Sequence, residues 1–219
     1  MLTVNEFAKH LDLALLAPNV QEQAIIEACN TAAKYQVNCV NVNSCWIDTA
    51  KKALEGSGVG YSAVIGFPYG TAISKVKYLE LEEMLKVGCS ACDMVINVGA
   101  LKAGDTEYVL DEIKAVRAAS KGKILKVIVE TCLLTEEEKI IACRLVTEAG
   151  ADYIKTSTGF SKAGATREDI ALFSAHIGDG VKMKAAGGIR SLRDAEDFIA
   201  LGCSRLGTSA IVRLIREET

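Results

Sequence analysis

Proline, histidine and long apolar runs are all scarce in this sequence, and each scarcity excludes a class of protein. Two prolines in 219 residues argue against Pro-rich linkers and extended disordered tails. His10 and His176 are the only histidines and are predicted on helices far apart, so a Ser-His-Asp triad is nearly excluded. No stretch approaches about 18 consecutive apolar residues, and no basic leader precedes an apolar run, so we expect neither a membrane-spanning helix nor a signal peptide.

An excess of positive charge is also lacking. The chain has 25 Lys and Arg against 28 Asp and Glu, which gives a formal net charge of −3. Because a basic block is the usual footprint of a nucleic-acid-binding surface, we expect no nucleic-acid partner. Half of the residues are hydrophobic, which is enough to build a large globular core.

Eight cysteines are present, but the chain is neither short nor marked for secretion. We therefore expect free thiols and a cytoplasmic location. Cys89 and Cys92 form a C-x-x-C spacing, which is typical of redox and zinc sites. A structural zinc needs four ligands, and the sequence offers neither a second C-x-x-C nor a histidine pair, so we expect no metal.

Short β-rich runs alternate with amphipathic segments along the whole chain. From the third run onward they are almost continuously apolar, as expected for parallel strands covered by helices. Glycines follow the helical segments, and hydroxyl residues such as Thr135 precede them, as at helix ends. The predicted strands are residues 11–15, 37–42, 60–65, 93–98, 124–130, 153–157, 181–185 and 205–206.

The number of repeats distinguishes two α/β folds. Eight βα units in 219 residues fit the lower size limit, roughly 200 residues, of the (β/α)8 TIM barrel. A doubly wound open sheet shows the same alternation with five or six strands and stays the alternative. No shift in composition marks a boundary, so we predict a single-domain (β/α)8 barrel over residues 1–219.

Charged residues interrupt several of the predicted strands, among them the strands that contain Asp93, Lys155 and Lys184. In a TIM barrel the active site lies at the C-terminal ends of the strands, where Lys155 and Lys184 are predicted on adjacent strands. A second ammonium group and burial both favour the neutral, nucleophilic form of a lysine, and Asp93 could move protons. Lys182 and Lys184 share a face by alternation, which we expect to be the inner one. Asp93, Lys155 and Lys184 thus suggest Schiff-base chemistry, although solvated lysines at the rim stay an alternative.

Two glycine-rich segments follow the last two predicted strands. Residues 186–190 (AGGIR) follow strand seven, and residues 206–209 (LGTS) follow strand eight and precede a predicted helix. Loops after strands seven and eight often bind phosphate in these barrels, since backbone N–H groups approach an anion closely where no Cβ intrudes. Ordinary turn glycines are the alternative.

Several of these segments resemble the deoxyribose-phosphate aldolase family over nearly the whole chain. The segments are residues 64–68 (VIGFP), 93–101 (DMVINVGAL), 129–131 (VET), 155–160 (KTSTGF) and 184–190 (KAAGGIR). The resemblance implies a class I aldolase with a (β/α)8 fold that uses no metal or cofactor. It implies reversible cleavage of 2-deoxy-D-ribose 5-phosphate to acetaldehyde and D-glyceraldehyde 3-phosphate in carbohydrate catabolism.

The resemblance also implies roles for individual residues. Lys155 would form the Schiff base, Lys184 would lower its pKa, and Asp93 would donate and accept protons through a water. The residues implied in binding the sugar hydroxyls and the phosphate are Asp12, Thr158, Gly159, Gly187, Gly188, Gly207 and Ser209. A homodimer is an assembly common in the family, but the sequence itself does not specify one.

The first strand departs from the family pattern. Ala14 stands where relatives commonly carry a threonine, so the resemblance does not specify the substrate contacts of this strand. Another Schiff-base aldolase or a transaldolase stays an alternative function. A phosphosugar isomerase or epimerase, or a sugar-phosphate binder, would use the same phosphate loops without an imine.

Overall fold

The computed structural model describes residues 3–120 and 122–209. Its eight strands are all parallel and close into a barrel in sequence order, with β1 paired to both β2 and β8. The strands are β1 Leu11–Leu15, β2 Cys39–Val42, β3 Gly60–Ile65, β4 Ala91–Val95, β5 Ile124–Ile128, β6 Tyr153–Lys155, β7 Lys182–Ala186 and β8 Cys203–Thr208. The predicted barrel is therefore confirmed, and the open sheet is excluded.

Helices between the strands cover the outside of the barrel. They are α1 Val4–His10, α2 Glu22–Tyr35, α3 Ile47–Ala53, α4 Ser74–Val87, α5 Val98–Lys102, α6 Thr106–Ala119, α7 Glu136–Glu148, α8 Arg167–His176 and α9 Leu192–Ala200. Within the described residues, no helix combines the length and apolarity needed to cross a membrane.

The helix ends follow the predicted signals. Thr135 begins α7 with a capping box, in which its side chain accepts from the backbone of Glu138 and the Glu138 side chain bonds back. Gly88 ends α4 in the left-handed conformation, with φ +96°, which only glycine adopts without strain. These caps satisfy backbone groups that a helix leaves unpaired at its ends.

The two faces of the strands have different roles. Outward-facing side chains such as Leu13, Val40 and Ala63 are buried and pack with the helices in the hydrophobic core. Buried charged side chains such as Asp12 and Lys184 contact each other across the strands and therefore share the inner face. The middle of the barrel is thus polar while its outer layer is apolar.

Some strand boundaries differ from the predicted ones. The fourth strand ends at Val95 rather than at residue 98, because Asn97 caps α5 by accepting from the N–H of Ala100. The eighth strand extends to Thr208, so Gly207 lies inside β8 and not in the loop after it. The helix predicted after Ser209 lies outside the described residues.

A buried ion pair outside the barrel supports the end of β4. The ammonium group of Lys77 on α4 lies 2.8 Å from a carboxylate oxygen of Glu112 on α6 and 2.8 Å from the carbonyl oxygen of Val95. Glu112 also accepts from the backbone N–H of Asn97, at 3.3 Å. Both charged side chains are fully buried. The pair therefore fixes the backbone where β4 leaves the barrel.

Candidate active site

The three side chains predicted to carry the chemistry meet inside the barrel. Asp93 on β4, Lys155 on β6 and Lys184 on β7 are each at most 2% exposed. The ammonium nitrogens of Lys155 and Lys184 both lie 2.9 Å from the same oxygen, Oδ2 of Asp93. The two lysines are register partners on adjacent strands, which is why both reach one carboxylate.

A third lysine, Lys126 on β5, belongs to the same group of charges and was not predicted from the sequence. Its ammonium nitrogen lies 2.9 Å from Oδ1 of Asp93 and 3.1 Å from Oδ2 of Asp12. Lys126 interrupts an otherwise apolar strand, as Lys184 does. The same signal in the sequence could therefore have identified it.

Asp12 on β1 lies beside the lysines, deeper in the barrel than the cavity. Its Oδ2 lies 2.5 Å from the ammonium nitrogen of Lys184, and its Oδ1 accepts from Asn38 at 2.8 Å. Asp12 is fully buried and is absent from the cavity lining that the described residues form. Direct contact of Asp12 with substrate therefore stays a prediction, whereas its contact with Lys184 is present in the structure.

These five residues form one buried charge cluster, which we define as Asp12, Asp93, Lys126, Lys155 and Lys184. Three ammonium groups face two carboxylates, so the fully ionised cluster carries one excess positive charge. A net charge is unfavourable away from water, and the loss of one proton makes the cluster neutral. One of the lysines is therefore poised to become a neutral amine.

The contacts identify Lys155 as that lysine. Lys126 and Lys184 each contact both carboxylates, whereas within the described residues Lys155 makes an ion pair with Asp93 alone. Burial lowers the pKa of Lys155 most; Asp93 opposes this, Lys184 and Lys126 lower it further, and the result is about 8. For Lys126, burial alone would lower the pKa, but Asp12 and Asp93 raise it well above the usual value.

The carboxylates respond in the opposite direction. Burial alone would raise the pKa of Asp93, but Lys126, Lys155 and Lys184 hold it well below the usual range. Asp12 has a pKa of about 2, because Lys126 and Lys184 outweigh the effect of burial. Both carboxylates are therefore ionised at neutral pH.

Asn41 on β2 is a further buried polar neighbour that sequence reasoning did not assign to the site. Its Nδ2 donates to Oδ2 of Asp93 at 3.1 Å. Its Oδ1 is buried and has no hydrogen-bond partner among the described residues. Turning the amide over would point an oxygen at the carboxylate, so the hydrogen bond fixes its orientation. Asn41 is also the register partner of Ala14.

Six of the seven predicted binding residues line one cavity at the C-terminal mouth of the barrel. Lys155 lines the same cavity, so the amine and the binding residues face a common space. Arg190 adds a cationic side chain to the lining. The predicted residues found there are Thr158, Gly159, Gly187, Gly188, Gly207 and Ser209.

Two of the glycines are favoured by the geometry, one by its backbone conformation and one by a close approach. Gly187 has φ +77°, in the left-handed region that disfavours other residues. At Gly207 a Cβ would lie 3.1 Å from the Cβ of Ala186 and 3.3 Å from the Cε of Lys184. Gly207 therefore leaves room for the Lys184 side chain, and its contact with phosphate stays a prediction.

Glu130 supports the wall of this cavity from behind Thr158. It follows β5 with φ +56°, a conformation rare for a residue with a side chain, and it is 4% exposed. Its carboxylate accepts from the backbone N–H of Thr158 at 3.2 Å and forms a short hydrogen bond with the Thr158 hydroxyl. Burial raises the pKa of Glu130. No pattern in the sequence indicated a role for this residue.

The C-x-x-C segment does not contribute to the cluster. Cys89 and Cys92 are both buried and free. Burial raises the pKa of each thiol, which disfavours the reactive thiolate form.

Comparisons with known proteins agree with this geometry. The profile of the DeoC/LacD family aldolases matches residues 7–204. Two proteins named deoxyribose-phosphate aldolase are similar over most of their length. The one from Bacillus cytotoxicus is 47% identical over 212 residues, covering 96% of this chain and 95% of the relative. The one from Mycoplasma capricolum is 45% identical over 210 residues, with 96% and 95% covered.

A solved structure gives the same result in three dimensions. The deoxyribose phosphate aldolase from Aeropyrum pernix superposes with a TM-score of 0.91 at 28% identity, covering 99% of this chain and 92% of that chain. The predicted resemblance is thus confirmed by sequence and by structure. This chain belongs to the DeoC/LacD family of aldolases.

Proposed function

We propose that this aldolase reversibly cleaves 2-deoxy-D-ribose 5-phosphate to acetaldehyde and D-glyceraldehyde 3-phosphate, through a Schiff base on Lys155, in deoxyribose phosphate catabolism. The observation that carries the proposal is the shared contact of Lys155 and Lys184 with Oδ2 of Asp93. The names of the relatives supply the substrate.

The reaction begins at the amine. Neutral Lys155 attacks the C1 carbonyl carbon of the open-chain sugar, and the carbinolamine loses water to give an iminium ion. The C2–C3 bond then breaks. Its electron pair goes to C2 and forms an enamine with the iminium, while the C3 hydroxyl loses its proton and becomes the aldehyde of the first product. Protonation of C2 and hydrolysis release acetaldehyde and restore the amine.

Proton transfer in these steps falls to the buried charge cluster. The pKa of Asp93 is held well below the usual range, so its carboxylate is ionised at neutral pH and does not retain a proton. We propose that Asp93 orients Lys184, which gives or takes the proton, and that a water carries the proton between Lys184 and the substrate. Gly159, Gly187 and Gly188 would hold the phosphate, with Arg190 adding positive charge at the cavity.

Reductive trapping tests this proposal. Borohydride added with acetaldehyde should convert the imine to a stable ethyl-lysine, which mass spectrometry should locate at Lys155. Lys155→Met should abolish both the adduct and turnover. Lys182→Met is the matched control, because Lys182 lies on the neighbouring strand β7 but is exposed, with its ammonium nitrogen 6.0 Å from the centroid of the Tyr153 ring.

Two outcomes of the trapping experiment would contradict the proposal. Sugar turnover without any trapped adduct would indicate an isomerase-type reaction and overturn the Schiff base. An adduct with other sugar phosphates but not with acetaldehyde would indicate a different aldolase or a transaldolase.

We also propose a homodimer working in a reducing compartment, the cytoplasm. All eight cysteines fall within the described residues and are free, as is usual where thiols are kept reduced. The Aeropyrum pernix relative is described as a tetramer. Sedimentation velocity would distinguish the two assemblies for this chain.

A further inference from the structure

The hydrogen bonds of the Thr158 hydroxyl leave one of its lone pairs unused and engage its proton. A hydroxyl has one proton and two lone pairs. We assign the proton to Glu130, because the carboxylate oxygen that the hydroxyl contacts, Oε2, also accepts from the backbone N–H of Thr158. The backbone N–H of Phe160 donates to one lone pair of the hydroxyl at 3.1 Å. The Thr158 hydroxyl can therefore accept one more hydrogen bond but cannot donate one.

The surroundings fix this arrangement. Both carboxylate oxygens of Glu130 also face the backbone N–H of Thr158, at 3.2 and 3.4 Å, so the carboxylate cannot rotate away without losing that donor. The left-handed backbone at Glu130 costs free energy in a residue with a Cβ, and such strain persists where the surrounding contacts require it. Thr158 in turn lines the cavity that Lys155 shares.

The chemistry of the proposed substrate matches this site. D-Glyceraldehyde 3-phosphate has an aldehyde oxygen and ionised phosphate oxygens, which only accept hydrogen bonds. Its single hydroxyl, on C2, is the one group that can donate. We propose that Glu130 is a positioning residue, which accepts the proton of the Thr158 hydroxyl in a hydrogen bond and leaves that hydroxyl able only to accept from substrate. Thr158 therefore selects an aldehyde with a hydroxyl on the carbon next to the carbonyl. This inference rests on the proposed function.

The sharpest test reverses the direction of the hydrogen bond. In Glu130→Gln the amide oxygen can take the Thr158 N–H, which turns the amide NH2 toward the Thr158 hydroxyl. The hydroxyl then accepts from Gln and its own proton becomes free to donate to substrate. The side chain keeps its size, so the cavity keeps its shape.

The assay uses three aldehydes with acetaldehyde as the second substrate. They are D-glyceraldehyde 3-phosphate and its analogues with hydrogen or fluorine in place of the C2 hydroxyl. Fluorine can accept a hydrogen bond but cannot donate one. For each pair of aldehydes the ratio of kcat/KM is compared between variants, which cancels their intrinsic reactivities.

The wild type should prefer hydroxyl over hydrogen by about two- to tenfold, the effect of one neutral hydrogen bond, and should disfavour fluorine. Glu130→Gln should raise the fluorine-to-hydrogen ratio by about two- to tenfold. Thr158→Val should bring the hydroxyl-to-hydrogen ratio close to one. Cys132→Ala is the matched control: its Sγ contacts Glu130 at 3.9 Å but not the Thr158 hydroxyl, so both ratios should stay unchanged.

The result that overturns the inference is an unchanged fluorine-to-hydrogen ratio in an active Glu130→Gln enzyme. If that variant does not fold, a hydroxyl preference that survives in Thr158→Val overturns it instead. Failure of the proposed function gives a different result, since the wild type would then make no product from acetaldehyde and D-glyceraldehyde 3-phosphate.

Discussion

The pH dependence of imine formation should report the buried charge cluster directly. With a pKa of about 8, Lys155 is neutral in roughly one molecule in eleven at pH 7. A lysine with an ordinary pKa of about 10.4 is neutral in roughly one molecule in 2,500, so burial, together with the neighbouring lysines, raises the reactive fraction by about 200- to 300-fold. The rate of imine trapping should therefore rise with pH and level off above about 8.

Two substitutions should move this midpoint in opposite directions. Lys184→Met removes a cation that lowers the pKa of Lys155, so the midpoint should move to higher pH. Each unit of that movement removes about tenfold of the neutral fraction at pH 7. Asp93→Asn removes the anion that raises the same pKa, so the midpoint should move to lower pH. Lys182→Met should leave it in place.

The assay is the initial rate of reductive trapping with acetaldehyde from pH 6 to pH 11, with circular dichroism to verify that each variant is folded. Trapping isolates imine formation from the later proton transfers, in which Lys184 and Asp93 also take part by our proposal. A wild-type midpoint near 10, or movement of both variants in the same direction, would refute the electrostatic account.

Three further substitutions probe the supports of the site. Gly207→Ala should lower kcat by more than tenfold without loss of folding, because the new Cβ would crowd the side chain of Lys184; wild-type kcat would contradict the close approach. Lys77→Met should lower the free energy of unfolding by about 3–5 kcal/mol in urea titrations, since it leaves Glu112 charged and buried, and the double variant with Glu112→Leu should recover part of the loss. Asn41→Leu should lower kcat more than it changes KM, because Asp93, which takes part in proton transfer by our proposal, loses its neutral donor; an equal change in both would indicate a binding role.

The sequence predicted the fold well because its signals are local. Continuous apolar runs, capping residues such as Thr135 and stop glycines such as Gly88 are read one segment at a time, and β1 and β3 begin and end where predicted. Strand ends were less predictable. Asn97 could continue β4 or cap α5, and tertiary contacts decide between the two. In the structure it caps α5, so β4 ends before it.

The site was predictable in part. Lys155, Lys184 and Asp93 each interrupt an apolar strand and therefore stand out. Lys126 shows the same signal, but its importance comes from the register of β4 and β5, which places it opposite Asp93. The hydrogen-bond direction between Glu130 and Thr158 depends on distances across two loops, and spacing in the sequence cannot supply those.

The five members of the buried charge cluster come from five different strands, and the contact between Asp12 and Lys184 joins residues 172 positions apart. The cluster therefore assembles only when the first strand meets the last strands and the ring is complete. Enzyme activity should therefore return only in the last step of folding, when the barrel closes. A refolding chain should regain helix signal in circular dichroism before it regains the ability to form an imine, and a half-barrel fragment that is well folded by spectroscopy should still be chemically inert.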